Sequence, residues 1–243
     1  MPHPASLRPH YDAVFAQGAE AARTGRLLAD PQLPQPAHDT RRGLTLLVRV
    51  TPAVAAAAGQ ALAGLRAAAP GLYYYPAPDL HLTVLSPLTG QPNQLFEAAR
   101  VRPYHLALAE ALRGAPAFML EFEGLTLSPG AVLLQGYPEG AAFQRLREHV
   151  RRCLLAARLP VLERYQSTSA HVTAVRFPAP LPALPTPAIL VDYVQARRAL
   201  PLGRQRVTEM LLVWNDWYNR RARTRLLARY PLGEAFPPLR AQG

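Results

Sequence analysis

Lysine is absent from this 243-residue sequence, which also contains a single cysteine, Cys153, and a single isoleucine, Ile189. One cysteine excludes an internal disulfide and a cysteine-rich metal site. Apolar runs are short, as at 54–58, and none approaches the roughly 20 residues that span a bilayer. The first 30 residues lack the apolar core of a signal peptide. We therefore expect a soluble cytoplasmic protein with no membrane partner.

All basic side chains are arginines, and 27 of them face 16 acidic residues, so the formal net charge is +11. The use of arginine without lysine is typical of a GC-rich genome and carries little functional meaning. The surplus of positive charge favours polyanionic partners such as RNA or nucleotides, because phosphates attract dispersed cations. With 49% hydrophobic residues, the chain fits one large globular domain or two small lobes.

A strand, a helix, a short strand or link and a further strand follow one another twice, at 44–85 and at 131–176. This repeats a topology without an obvious repeat of sequence. It predicts an α+β fold with a largely antiparallel sheet and helices outside it. The predicted elements of the two passages are strands at 44–50, 72–75, 80–85, 131–137 and 170–176 and helices at 52–69 and 140–159.

The remaining segments give weaker patterns. A helix is predicted at 11–28, where apolar residues recur about every two turns, and a proline-rich connector follows at 30–36. The other predictions are helices at 104–112 and within 184–198, a proline-rich connector at 178–187, and strands at 118–127, 207–214 and 225–230.

The last strand of each passage contains the motif His-x-Thr, at His81 and Thr83 and again at His171 and Thr173. Residues two apart in a strand share a face. Each strand therefore presents an imidazole beside a hydroxyl on one face and buries apolar side chains on the other. A twofold packing of the two passages would bring both polar faces to one cleft.

This pair of motifs suits phosphodiester cleavage without a metal. Two imidazoles titrating near neutral pH can serve as base and acid in one turnover. Two threonine hydroxyls can bind phosphate oxygens and stabilise the charge that builds on them. One histidine would deprotonate water, and the other would protonate the departing ribose oxygen.

With these motifs the chain resembles the 2H phosphoesterase superfamily, and within it the bacterial RNA 2′,3′-cyclic phosphodiesterases, also called 2′-5′ RNA ligases. The first motif is similar at 79–85, with a turn glycine at Gly90, and the second at 170–176, which ends on an arginine as in family members. The resemblance covers about 43–232. It implies two pseudo-symmetric lobes of mainly antiparallel sheet flanked by helices, with the two His-x-Thr strands facing a central cleft.

The resemblance also implies roles for individual residues. His81 and His171 would be the catalytic acid and base, with His171 expected to activate water and His81 to protonate the leaving oxygen, although the reverse assignment stays open. Thr83, Thr173 and Arg176 would bind phosphate. Arg176 stands five positions after His171, so a regular strand would direct it to the opposite face, and a bulge or strand end must turn it back.

The resemblance further divides the chain into an N-terminal helical extension and connector at 1–42, a single bilobal domain at 43–232 and a C-terminal tail at 233–243. Tyr73, Tyr75 and Trp214 are candidates for stacking on a base, with Trp217 close by. No metal-site spacing and no Walker A sequence occurs, so we expect no metal and no cofactor.

The expected partners are RNA ends or cyclic nucleotides, and the expected state is a monomer. The expected activity is hydrolysis of 2′,3′-cyclic phosphate ends to 2′-phosphates, with 2′-5′ ligation as its reverse. Two alternatives stay open. One is a small-molecule cyclic phosphodiesterase acting on a compound such as ADP-ribose cyclic phosphate. The other is a non-catalytic module that binds RNA or nucleotides.

Overall fold

A computed structural model describes residues 7–163, 168–184 and 188–233. The predicted C-terminal tail lies outside them except for its first residue. Within these residues the chain forms five α-helices and nine strands, with short 3₁₀ helices at Ala77–Asp79 and Arg221–Arg223. The helices are α1 (Leu7–Arg23), α2 (Pro52–Ala68), α3 (Ala98–Ala111), α4 (Ala142–Ala156) and α5 (Ile189–Gln195). The strands are β1 (Arg42–Arg49), β2 (Tyr73–Tyr74), β3 (His81–Gln91), β4 (Phe118–Ser128), β5 (Ala131–Pro138), β6 (Val172–Arg176), β7 (Pro201–Val207), β8 (Glu209–Asp216) and β9 (Arg225–Pro231).

All nine strands belong to one antiparallel sheet, ordered β7-β4-β5-β6-β3-β1-β8-β9, with β2 pairing beside β6. The predicted α+β class is confirmed, and the two lobes are halves of this single sheet. One half contains β1, β3, β8 and β9, and the other contains β4 to β7. The halves join where β3 lies beside β6, through the pair Leu82 and Val172.

The helices flank the sheet and bury its apolar faces. α1 and α5 pack on β4, α2 packs on β7, and α3 contacts β9 and α4. On β8, side chains alternate between two environments. Met210, Leu212 and Trp214 are buried in the core, where Trp214 packs edge-on against Phe96. Leu211, Val213 and Asn215 point to the opposite face, which lines cavities.

Two predicted elements differ from the structure toward the ends of the chain. The first helix spans Leu7–Arg23 rather than 11–28, because Gly25 adopts a left-handed conformation with φ of 66° just after it. Leu28, predicted on its apolar face, is 63% exposed. The single strand predicted at 207–214 is two strands in the structure, because it covers the last residue of β7 and most of β8. These two strands lie in different halves of the sheet.

The N-terminal helix packs closely on the second half of the sheet. A side chain at Gly18 would place its Cβ 2.2 Å from the carbonyl oxygen of Leu127, so only glycine allows this approach. The hydroxyl of Tyr11 donates to the carbonyl of Gly136 and accepts from its N–H. α1 is thus held by buried contacts with β4 and β5 rather than extending away from the sheet.

Candidate functional site

A polar cavity of about 210 Å³ lies on the open face of the sheet, where β3 runs beside β6. Both His-x-Thr motifs contribute to it, so the structure brings the two predicted motifs to one site. The lining residues are Thr45, Tyr75, His81, Thr83, Ser86, Thr89, Gly90, Glu163, His171, Thr173, Arg176, Asn215, Trp217 and Asn219. We call this cavity the central cleft.

The pairing of β3 with β6 sets the arrangement of the four motif residues. Leu82 and Val172 are antiparallel partners. One step to either side in an antiparallel pair therefore brings His81 opposite Thr173 and Thr83 opposite His171. Opposite residues share a face of the sheet, so each imidazole has a hydroxyl from the other motif as its cross-strand neighbour.

A bulge in each strand follows the motif at the same place. β6 pairs with β5 at Val175 and then at Thr173, which leaves Ala174 as the extra residue. β3 pairs with β1 at Leu85 and then at Thr83, which leaves Val84 as the extra residue. The bulge in β6 is the one that the offset of Arg176 requires, because it turns a residue three positions after Thr173 back toward the cleft.

In β3, which carries the first motif, bulges continue well beyond the motif. Two further register shifts follow in β3, so the cleft-facing residues recur every third position, at Thr83, Ser86 and Thr89. Ser86 stands five positions after His81, as Arg176 stands five positions after His171. The two motifs are therefore matched in geometry but carry a serine in one half and an arginine in the other.

The imidazole of His81 is held by the backbone before it. Its Nδ1 lies 2.7 Å from the carbonyl oxygen of Asp79. A carbonyl only accepts hydrogen bonds, so Nδ1 carries the proton and Nε2 is the nitrogen that exchanges protons. Asp79 is itself buried, and its Oδ1 accepts the backbone N–H of Arg221 at 2.8 Å. The same Asp79 carbonyl also accepts from Arg49 at 3.0 Å.

His171 precedes β6 and is oriented by a side chain. Its Nδ1 lies 2.8 Å from the hydroxyl of Ser169. A hydroxyl can donate or accept, so this contact is satisfied whether the ring is neutral or protonated. His171 is therefore held in place without a fixed tautomer, whereas His81 has one.

Both imidazoles are held in the neutral form. Burial lowers the pKa of His81 from 6.5 to about 3, and the positive charges of Arg49 and Arg176 act in the same direction. Burial lowers the pKa of His171 from 6.5 to about 4, with Arg147 and Arg176 adding to the effect. An anion bound between the rings would offset these charges and favour protonation of one ring.

Arg176 is positioned by an aromatic wall. Its Nε donates to the hydroxyl of Tyr75 at 3.1 Å, and its guanidinium lies 5.9 Å from the ring centre of Tyr218. Tyr75 also lies 6.4 Å from the ring of His81. These contacts aim a fixed cation at the cleft beside both histidines.

Trp217 forms another wall of the cleft and is braced by the N-terminal connector. The guanidinium of Arg41 stacks 4.7 Å from its ring centre, and Asp30 and Asp39 hold Arg41 in salt bridges of 3.2 and 2.9 Å. A Cβ at Gly90 would lie only 3.0 Å from the indole, so this turn glycine leaves room for the ring.

Of the three aromatic candidates, only Tyr75 lines the cleft, and because it is 5% exposed it also lacks an open face for a base. Trp214 is 6% exposed and packs in the core, so it has no face for a base. Tyr73 lies behind Tyr75, edge-on at 5.2 Å, and beside Tyr218. Trp217, three residues after Trp214, lines the cleft instead, at the place where the sequence predicted Trp214.

Two asparagines of the β8–β9 region line the cleft without a distinctive motif. The Oδ1 atoms of Asn215 and Asn219 are buried and have no hydrogen-bond partner among residues 7–163, 168–184 and 188–233. Asn219 adopts a left-handed φ of 55°, which asparagine tolerates better than most residues. Both amide oxygens are acceptors suited to a hydroxyl or amino group of a ligand.

Arg147 lies on the buried face of α4, with none of its side chain exposed. Its Nε donates to the carbonyl of Val84 at 2.9 Å, and its guanidinium also donates to the carbonyls of Thr83 and Ser169. One arginine thus bonds the backbone of both motif segments from behind the cleft. Burial lowers the pKa of Arg147 to about 10, so the side chain stays charged at neutral pH.

Metal ligation has no support in the part of the chain that the structure describes. No group of three or more histidine, cysteine or carboxylate side chains there could hold a metal ion. Glu163, the carboxylate in the cleft, is bound by Arg151 at 2.7 Å. Nor does any described helix combine the length and apolar character needed to cross a membrane.

Comparison with protein families shows which family the chain resembles. The family model described as the 2′-5′ RNA ligase superfamily matches residues 51–219, a stretch that includes both His-x-Thr motifs. No match was found among curated protein sequences.

Solved structures share the fold at low sequence identity. The protein TT0787 of Thermus thermophilus aligns with a TM-score of 0.56 and 20% identity, covering 80% of this chain and 98% of that chain. A conserved protein of unknown function, ATU0111 from Agrobacterium tumefaciens str. C58, gives 0.55 and 15%, covering 87% and 98%. E. coli LigT complexed with 3′-AMP gives 0.51 and 19%, covering 80% and 99%. These similarities extend to almost the whole of each relative.

The buried histidines should make stability depend on pH. In the folded protein their pKa values lie below the ordinary value of 6.5. As pH falls below 6.5, these histidines therefore bind protons in the unfolded chain while they stay neutral in the folded protein. Stability is therefore highest above about pH 6.5 and is lost toward pH 4. We expect urea unfolding to show a loss on the order of 1–2 kcal/mol per imidazole between pH 7 and pH 5.

The double variant His81→Gln with His171→Gln should flatten this dependence. His149→Gln, on the exposed surface of α4, is the matched control and should keep the wild-type slope. Equal slopes in all three proteins would contradict the assignment of the pH dependence to the cleft histidines.

Replacing Arg147 should affect both stability and the cleft. Arg147→Met leaves buried carbonyls without a donor, which costs roughly 2–3 kcal/mol. It also removes a positive charge that lowers the pKa of His171, so that pKa should rise. NMR titration of the His171 ring protons measures this shift, and Arg147→Lys, which keeps the charge, should shift it less. An unchanged His171 pKa in Arg147→Met would show that the arginine acts only through stability.

Proposed function

The chain belongs to the 2′-5′ RNA ligase superfamily of 2H phosphoesterases, and from this membership we propose a specific activity. The protein hydrolyses 2′,3′-cyclic phosphate ends of RNA or of nucleotides without a metal and leaves a 2′-phosphate. The observation that carries the proposal is the central cleft, where two imidazoles from matched strands stand on one face, each opposite a threonine hydroxyl of the other motif.

The reaction needs one proton removed and one delivered. The neutral imidazole of His171 takes a proton from water as the water oxygen attacks phosphorus. The bond from phosphorus to the ribose 3′ oxygen breaks, and His81 delivers a proton from Nε2 to that oxygen. The products are a 2′-phosphate and a free 3′ hydroxyl. If the 5′ hydroxyl of a second RNA takes the place of water, the same attack on phosphorus with departure of the 3′ oxygen forms a 2′-5′ phosphodiester, which is the ligation; its reverse regenerates the cyclic phosphate and the 5′ hydroxyl.

Binding of the cyclic phosphate prepares the acid. Both imidazoles are neutral in the free protein at pH 7 because burial and nearby arginines lower their pKa values. A phosphate anion between them stabilises an imidazolium. The hydrogen bond from Nδ1 to the Asp79 carbonyl stabilises the protonated ring of His81 and keeps Nε2 directed to the leaving oxygen.

Thr83, Thr173 and Arg176 bind the phosphate. Hydroxyl groups and a fixed guanidinium that meet negative charge as it develops stabilise the transition state without reorganisation. The nucleoside would contact the neutral polar wall formed by Asn215, Asn219 and Trp217. LigT of E. coli, a protein of this fold, has been solved with 3′-AMP and with ATP, which supports a nucleotide as the ligand class.

The activity can be tested on a 2′,3′-cyclic mononucleotide with EDTA present. We expect wild-type turnover that EDTA does not reduce, and a loss on the order of 10²–10⁴-fold in His81→Ala and in His171→Ala. His149→Ala is the matched control at an exposed position and should retain full activity. Turnover that requires a divalent ion, or that survives both cleft variants, would contradict the mechanism. Nucleotide binding without turnover in the wild type would instead favour a binding module.

The acid and base roles can be separated by the leaving group. A p-nitrophenolate leaving group departs without a proton, so a nucleoside p-nitrophenyl phosphate does not need the acid. If His81 is the acid, His81→Ala should lose much less activity on this ester than on the cyclic nucleotide, whereas His171→Ala should lose activity on both. The opposite pattern would exchange the two roles.

A further inference from the structure

A second cavity lies on the same open face of the sheet, beyond the central cleft. Its volume is about 510 Å³, and it is formed by β1, the segment joining β7 to β8, and β9. Leu211 and Val213 line it, while Asn215, two residues further along the same face of β8, lines the central cleft. The two cavities are therefore neighbours along one continuous surface.

An arginine connects the two cavities. Arg49 lines the second cavity and donates to the carbonyl of Asn219 at 3.4 Å and to the carbonyl of Asp79 at 3.0 Å. Asn219 lines the central cleft, and the Asp79 carbonyl also holds His81. A ligand that fills the second cavity would thus lie next to the group that orients a predicted catalytic residue.

The second cavity combines positive charge with an apolar floor. Among the residues that the structure describes, four arginines and one carboxylate line it, and that carboxylate, Glu209, is bound by Arg229 at 3.0 Å. The lining arginines are Arg49, Arg206, Arg221 and Arg229. The guanidinium of Arg221 lowers the pKa of Arg49, in addition to the larger effect of burial. Arg49 and Arg221 are thus close enough to repel each other, and an anion between them would relieve this repulsion.

The apolar floor distinguishes the cavity from a simple anion site. Leu226 is 44% exposed at its surface, and it lies beside Val213 as its cross-strand partner. An apolar surface next to guanidinium groups is complementary to a nucleotide, which has an apolar base face and a charged phosphate. The central cleft, at about 210 Å³, is below the roughly 300–1,000 Å³ of typical ligand pockets, so further nucleotides must lie outside it.

We propose that the second cavity binds the nucleotide that precedes the cyclic phosphate end of an RNA chain, so that the protein prefers oligonucleotides to mononucleotides. This rests on the proposed function for the chemistry in the central cleft. The occupant is a ribonucleotide of the same chain as the reacting end, with its phosphate at the arginines and its base over Leu226.

The test introduces a negative or a positive charge at one exposed, uncharged position. Leu226→Glu should lower kcat/KM for a trinucleotide with a 2′,3′-cyclic phosphate end about three- to tenfold, and Leu226→Arg should raise it or leave it unreduced. Neither should change turnover of the cyclic mononucleotide by more than about twofold, because that substrate ends before the cavity. Leu155→Glu, at an exposed site on α4, is the matched control and should act on neither substrate.

A binding measurement separates failure of this proposal from failure of the proposed function. A fluorescent trinucleotide RNA with an unreactive end should bind the wild type, and Leu226→Glu should weaken binding and reduce its salt dependence. If the wild type turns over neither substrate, the proposed function fails, while this measurement still decides the cavity. Equal effects of Leu226→Glu and Leu226→Arg, or no effect on the trinucleotide, would overturn the subsite. Competition by free AMP that depends on Leu226 would show a site for a separate nucleotide instead.

Discussion

The junction of β3 with β6 is the constraint on which the rest of the structure depends. Within the described residues the two halves of the sheet meet there through Leu82 and Val172, a short contact for a nine-stranded sheet. Arg147 reinforces it from behind by donating to Val84 in one half and to Ser169 in the other. Burying a guanidinium is costly unless its donors are satisfied. The backbone carbonyls of both halves satisfy them only when the halves are in register, so the arginine makes the relative position of the two motifs specific.

The sequence predicted the two motifs well because they use the simplest periodicity of a strand. Alternation over 81–84 and 171–174 placed each histidine and threonine on one face, and the structure has both in one cleft. The prediction ended β3 near 85, however, because polar residues then recur every third position. Three bulges account for that spacing and carry Ser86 and Thr89 into the cleft. Bulges depend on the partner strand, so a pattern read along one strand does not contain them.

Other site residues were not predictable, for related physical reasons. Arg147 stands next to the apolar positions of α4, but nothing distinguishes it in sequence from the other arginines until the carbonyls of Thr83, Val84 and Ser169 are in place around it. Asn215 and Asn219 lie in a region whose contact with the cleft depends on β8 pairing with β1. The pattern of β7, with Pro201 and Gly203, is typical of a loop because both residues are rare in central strands, yet β7 serves as the edge strand beside β4.

The cleft combines a symmetric pair of motifs with asymmetric surroundings. Each motif has its histidine, its threonine and its bulge at the same offsets, which suits a reaction whose forward and reverse directions exchange the roles of acid and base.

At the fifth position after the histidine the match ends, with Ser86 in one half and Arg176 in the other. In the proposed function, the fixed cation of Arg176 attracts the phosphate toward the half formed by β4 to β7. The neutral groups of Thr89, Asn215 and Asn219 line the opposite half, which continues to the second cavity. Under the proposed function, a chain with its phosphate at Arg176 would have its sugar and base over the half formed by β1, β3, β8 and β9. The asymmetry would then set the direction in which the substrate enters, while the symmetric motifs would supply the acid and the base.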